Sequence, residues 1–158
     1  MMLRMNKVAD ILLIGAGPLG IEMAVALKRA GLDYLHIEAA QIGATMQWWA
    51  PGTRGFSSNK RISIAGGPLE TPQQEKATRE EYLAYLRGIV LQFDLRILTY
   101  RRVVHIAREP DAEHPFTLQT RRSAGAAARD MSTAPPGETI RARRIILSAA
   151  PRPTSLPR

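Results

Sequence analysis

The six residues Gly15-Ala16-Gly17-Pro18-Leu19-Gly20 narrow the folds open to this chain more than any other stretch. They complete a G-x-G-x-x-G, and both flanks suit it. Before it, Val8 and the run Ile11, Leu12, Leu13, Ile14 read as a strand buried on both faces of a parallel sheet. After it, Ile21, Ala24, Val25, Leu27 and Lys28 lead to Gly31, a helix with a glycine stop. Tyr34–Ile37 reads as a second strand, with Glu38 at its end. This order predicts a βαβ unit that holds a dinucleotide. Gly15 permits the tight turn, Gly17 lets a pyrophosphate approach the backbone, and Gly20 lets the helix pack against the sheet. The free amides and positive end of the helix face the phosphates. Pro18 suits the first turn, where its missing N–H would have no partner in any case. Glu38 stands eighteen residues after Gly20, close to the roughly 20 expected of a carboxylate that bonds ribose hydroxyls. Ala39 and Ala40 follow it with no arginine to meet a 2′-phosphate, which favours FAD or NAD over NADP. A chance glycine cluster in an ordinary strand-to-helix turn is the competing explanation, and the flanking order weighs against it.

The chain has 158 residues, enough for one core of ordinary size. Hydrophobic content of 45% with 23% charged residues is a globular composition rather than a disordered one. There is no cysteine, which removes disulfides, thiolate metal sites and C-x-x-C redox pairs and fits a reducing cytoplasm. No apolar run approaches the roughly 20 residues needed to span a bilayer. The charged start Met1–Lys7 leads into the glycine turn and not a cleavage site, so a signal peptide is not expected. The net charge of +8 raises nucleic acid as a partner. The arginines are scattered in pairs such as Arg101-Arg102, Arg121-Arg122 and Arg143-Arg144, without interleaved aromatics. A solvated basic surface explains them better.

Gln41–Gly67 reads as an irregular connection carrying Trp48 and Trp49, which either plug a core edge or lie against a flat aromatic ring. Thr78-Arg79-Glu80-Glu81 is a capping box. It opens a helix whose apolar face is Tyr82, Leu83, Leu86, Ile89, Val90 and Phe93. Leu95–Tyr100 reads as a third parallel strand. Val103–Ala107, Phe116–Arg121 and Thr139–Leu147 read as three more, and the Ala-, Ser- and Pro-rich Arg122–Gly137 reads as a surface loop. His36, His105 and His114 lack metal-ligand spacing and are expected to serve packing or solvent. Neither Ser57-Ser58 nor Ser148 sits in a nucleophile elbow. No acid, base or nucleophile stands out.

In this order, Ile11–Pro18, Ile37-Glu38, Phe56-Ser57-Ser58, Ile64–Pro68, Thr78–Glu81 and Leu95-Arg96-Ile97 leading to Val103 resemble the N-terminal part of two-dinucleotide-domain flavoproteins. That class contains thioredoxin-reductase-like enzymes and flavin-containing monooxygenases, and the likeness is greatest to bacillithiol-disulfide-reductase-like oxidoreductases. The resemblance implies FAD in the first Rossmann-like unit. Gly15, Gly17 and Gly20 would hold the pyrophosphate, with Pro18 and Leu19 of the same turn beside it, and Glu38 would hold the adenosine ribose. Thr45 and Met46 would approach the flavin, and Val103 would contact adenine through its backbone. NAD(P)H bound in a second domain would reduce the flavin, and the flavin would pass electrons to an acceptor.

Three departures qualify that likeness. Ser148-Ala149-Ala150 stands where the class closes its strand with Ala-Thr-Gly, which would weaken or shift the FAD contact. Leu19 stands where bacillithiol-type members carry cysteine, against thiol-disulfide chemistry. The chain reaches Arg158 just as Pro151-Arg152-Pro153-Thr154 starts to look like a crossing to the second domain. The expectation is therefore an α/β protein, a small parallel sheet with helices on its faces and a short antiparallel meander. Residues 1–150 would form the FAD/NAD(P)-binding domain and 151–158 a tail, the whole being a fragment or degenerate copy. A separate NAD(P)H-domain segment, or a second copy in a homodimer, would be its partner. The alternatives are a non-catalytic module holding NAD, ADP or FAD, and nucleic-acid binding through the arginines.

Overall fold

The computed structural model of the chain describes residues 6–123 and 137–149. It is a six-stranded mixed sheet in the order β3-β2-β1-β6-β5-β4. The strands are β1 (Asn6–Ile14), β2 (Tyr34–Ile37), β3 (Ile97–Leu98), β4 (Arg101–Arg108), β5 (Phe116–Arg122) and β6 (Thr139–Leu147). The helices are α1 (Pro18–Arg29), the single turn α2 (Asn59–Ile62) and α3 (Arg79–Gln92). β1 runs parallel to both β2 and β6, and β2 runs parallel to β3. β4, β5 and β6 form the antiparallel meander. β6 belongs to both halves: Thr139–Ala142 pairs β5 on one side and β1 on the other, and the rest of the strand pairs β1 alone.

Alternation along β1 divides the interior in two. Ile11 and Leu13 join α1, α3 and the 41–77 connection in the larger core, with Ile21, Ala24, Val25, Leu83, Leu86 and Ile89. Leu12 faces the other way, into a cluster built from strand residues, Ile37, Leu118, Ile140 and Ala142. Both long helices therefore cover one face of the sheet, and the second cluster is closed by the meander.

Local signals set the helix ends. Thr78 Oγ1 accepts from Glu81 N (3.2 Å) and Glu81 Oε2 accepts from Thr78 N (2.7 Å), which closes the capping box. α1 stops in a Schellman arrangement: Leu32 N–H bonds Leu27 O, Gly31 N–H bonds Lys28 O, and Gly31 has φ +67°. α3 stops the same way, with Leu95 N–H to Val90 O and Asp94 to Leu91 O, although the left-handed residue is Asp94. Lys28 Nζ donates to Phe93 O and Asp94 O and joins the two helix ends.

The third strand is shorter than Leu95–Tyr100. Leu95 is still bonded to the end of α3, and Tyr100 takes φ +56° to turn the chain into β4. Only Ile97 and Leu98 remain free to pair β2. The 41–67 connection is tied down by side chains. Asn59 spans to Glu75 O and Ala77 N, and the Tyr85 hydroxyl accepts from Ile64 N and donates to Gly67 O. Trp48 and Trp49 do not plug the core, since Trp48 is 79% exposed and Trp49 42%. Most of the Arg122–Gly137 stretch, Ala150 and the 151–158 tail lie outside the described residues. Among the described residues no helix is long and apolar enough to cross a membrane.

Candidate functional site at the head of the first helix

The ends of β1 and β2 and the start of α1 meet at the glycine turn. Gly15 has φ +104°, and a Cβ built on it would lie 2.9 Å from Ser148 O at the end of β6. A Cβ on Gly20 would lie 2.0 Å from Gly15 O, so only glycine lets α1 start this close to the turn. A Cβ on Gly17 meets nothing within 4 Å. The three glycines thus divide into two that the protein itself crowds and one that faces open space. Gly17 is the N-cap of α1, no side chain caps it, and Pro18 occupies the first turn. Leu19 beside it is exposed. The helix therefore presents its positive end and uncapped amides to the outside.

Glu38 turns toward this mouth. Its Oε2 accepts from Ala16 N at 2.7 Å and its Oε1 from Ala40 N at 2.8 Å. Its main chain is fixed as well, with N–H to Leu98 O and its carbonyl accepting from Arg101 N. Ser123 Oγ holds Ala39 O, and Tyr100 N–H holds Ala40 O, so the start of β4 frames the carboxylate. Val103 stands two residues further along β4, half-buried, where the pairing with β5 slips between Val103 and His105. Such a bulge re-aims the local backbone.

Gly43 N–H bonds Ala16 O at 2.9 Å and docks the following 3-10 turn, 44–48, on the glycine turn. Thr45 is exposed there. Met46 is buried in the larger core, so only its backbone is available to a ligand. Ser148 Oγ lies against Gly20, buried and without a partner among the described residues. Ala150, where the resemblance asks for glycine, lies outside those residues.

One residue at the site had no signal in the sequence. His36, assigned there to packing or solvent, is fully buried and its Nε2 lies 2.8 Å from Gly15 O. Burial pushes its pKa below the usual value, against the opposing pull of the Gly15 carbonyl and the Glu38 charge. The ring is neutral at pH 7, with Nε2–H donating to the carbonyl. Nδ1 has no partner among the described residues. The tyrosines of α3 are structural: Tyr82 donates to Ile62 O, and burial together with Tyr85 pushes its pKa up to about 12. Several basic side chains are held by carboxylates, Arg143 between Asp10 and Glu113, and Arg101 and Lys7 on Glu138.

Residues 12–131, which contain the turn, Glu38 and the β4 frame, match the family described as pyridine nucleotide-disulphide oxidoreductase. The chain belongs to that family. Bacilliredoxin reductase Bdr of Bacillus subtilis (strain 168) is 30% identical to it over 79 residues, half of this chain and 24% of the relative. The flavin-containing monooxygenase of Stenotrophomonas maltophilia is 28% identical, with a TM-score of 0.68 over 90% of this chain and 38% of that one. Bacillithiol disulfide reductase Bdr of Bacillus cereus shares the fold, with a TM-score of 0.75 at 23% identity, over 89% of this chain and 39% of that one. The chain therefore spans about a quarter to two fifths of the length of these oxidoreductases.

Proposed function

We propose that residues 1–150 are the dinucleotide-binding portion of an FAD-dependent, NAD(P)H-linked oxidoreductase, with 151–158 as a tail beyond it. The observation that carries the reading is the Glu38 carboxylate bonded to Ala16 of an open glycine turn at an uncapped helix start. Family membership and a flavin-containing relative support it. FAD fits the residues present, because Gly17 leaves room for phosphate where Gly15 and Gly20 are already filled by protein. The amides at the start of α1 would bind the pyrophosphate. Glu38 would bind the adenosine ribose, and the Val103 backbone would meet the adenine. Thr45 and the backbone of Met46 would lie toward the flavin. When bound, the flavin supplies hydride acceptance from NAD(P)H and electron delivery to an acceptor. The nicotinamide would come from a second domain or partner segment, or a second copy would complete the site. The lack of cysteine suits a cytoplasmic setting.

A second reading is a nucleotide-binding module without catalysis. It is favoured by one observation: the exposed side chain in the first turn of α1 is the aliphatic Leu19, which carries no redox or acid-base chemistry. The purified chain is incubated with FAD, desalted and scanned. A retained flavin spectrum supports the first reading. A colourless protein whose melting temperature rises with ADP or NAD supports the second. A chain that responds to none of them refutes both.

A further inference from the structure

We propose that His36 is a positioning residue that locks the Gly15–Ala16 peptide and through it aims the Glu38 carboxylate at a bound ribose. The inference rests on the dinucleotide reading above. Gly15 C=O and Ala16 N–H are the two ends of one planar amide. His36 Nε2 holds the first end at 2.8 Å and Glu38 Oε2 the second at 2.7 Å. Two residues spaced i and i+2 at the end of β2 thus clamp a single peptide plane from opposite ends. The plane needs clamping. Gly15 sits at φ +104°, and glycine resists rotation there less than any other residue.

Rotation of that plane would bring the carbonyl toward the Glu38 carboxylate and remove the amide that orients it. The His36 bond opposes this, and the close approach of Gly20 to Gly15 O leaves the carbonyl little other room. With Ala16 and Ala40 each bonded to one oxygen, Glu38 keeps its remaining lone pairs in a fixed direction for ribose hydroxyls. A histidine is otherwise a costly filler at a fully buried position, because its Nδ1 is left without a partner among the described residues. An aliphatic residue would fill the volume without that cost. The donor at Nε2 is what an aliphatic residue cannot supply.

The test is calorimetric titration of the 158-residue chain with ADP and with 2′-deoxy-ADP, for the wild type, His36→Val, His36→Gln and His36→Asn. The wild type prefers ADP by about tenfold, the size of one hydrogen bond to a charged group. His36→Val loses most of that preference. His36→Gln, whose amide nitrogen reaches the place of Nε2, regains it, and His36→Asn, which is too short, does not. Where His36→Val fails to fold, His36→Asn is the comparison. A merely structural role would weaken both nucleotides alike and leave their ratio unchanged. Retention of the full ADP preference by His36→Val or His36→Asn overturns the proposal, as does a folded His36→Gln that fails to restore it. Wild-type protein that binds neither nucleotide refutes the dinucleotide reading and the proposal with it. Equal binding of the two by wild type removes the ribose role of Glu38.

Discussion

Gly20 and Gly17 lie three residues apart in one turn, and alanine at each should do opposite things. In Gly20→Ala the new methyl lies 2.0 Å from Gly15 O and 2.9 Å from Gly15 C, both backbone atoms, and 3.0 Å from Ser148 Oγ. Ordinary contact begins near 3.4 Å, so the start of α1 must part from the turn by more than an ångström. A gap of about 0.5–1 Å already forfeits about a quarter to a half of the dispersion energy across it, and this one is wider; overpacking of this kind costs about 1–3 kcal/mol. Alanine returns at most about 1 kcal/mol in helix propensity. The net loss is expected at about 1–2 kcal/mol, or roughly 2–8 °C in Tm for a chain of this length. Gly17→Ala meets no protein atom and sits at φ −78°, which alanine adopts freely. Its weaker N-cap and its smaller unfolded-state entropy roughly cancel, to within about 1 kcal/mol. Its methyl stands where phosphate should approach, so the Tm rise caused by FAD or ADP should disappear. Urea denaturation gives the first quantity and thermal shift with ligand the second. Gly20→Ala as stable as wild type, or Gly17→Ala that binds ligand as wild type does, would refute the reasoning.

Glu38→Ala leaves the Ala16 and Ala40 amides without their acceptor and should cost about 2 kcal/mol in urea denaturation, with loss of ADP binding in the same preparation. His36 has a folded pKa below its ordinary 6.5, so unfolding takes up a proton between the lowered value and 6.5. Stability should therefore be full above pH 6.5 and fall as the pH drops through that window. His36→Val should flatten that part of the profile measured between pH 7.5 and 5. Thr78→Ala should cost about 1 kcal/mol, and Glu81→Ala added to it should cost little more, because the two residues close one capping box. A double-mutant cycle in urea checks this.

What the sequence made legible was local. The glycine turn, the distance from Gly20 to Glu38, the capping box at Thr78 and the bounds of β2 and β6 all follow from residue type and spacing within a few positions. What it hid depends on distant partners. Nothing near Thr139–Leu147 says that one strand serves a parallel sheet at one edge and a meander at the other. The third strand is shorter than its apolar residues suggest, because Asp94 and Tyr100, neither of them glycine, take left-handed conformations that cut it short. Spacing alone points His36 to packing or solvent, because its partner, the Gly15 carbonyl, is 21 residues away in the chain. Trp48 and Trp49 were legible as unusual but not as exposed. They line the outside of a connection held in place by Asn59 and Tyr85, whose hydrogen bonds leave no periodic trace.

On this account the mouth at the head of α1 grips a dinucleotide. Amide chemical-shift mapping of the labelled chain on addition of FAD tests it directly. The largest shifts should fall on Ala16, Gly17, Leu19 and Gly20, with Ala40 and Val103 following as the ribose and adenine seat. Shifts absent from the glycine turn, or gathered instead on the arginine-bearing strands β4 and β6, would contradict it.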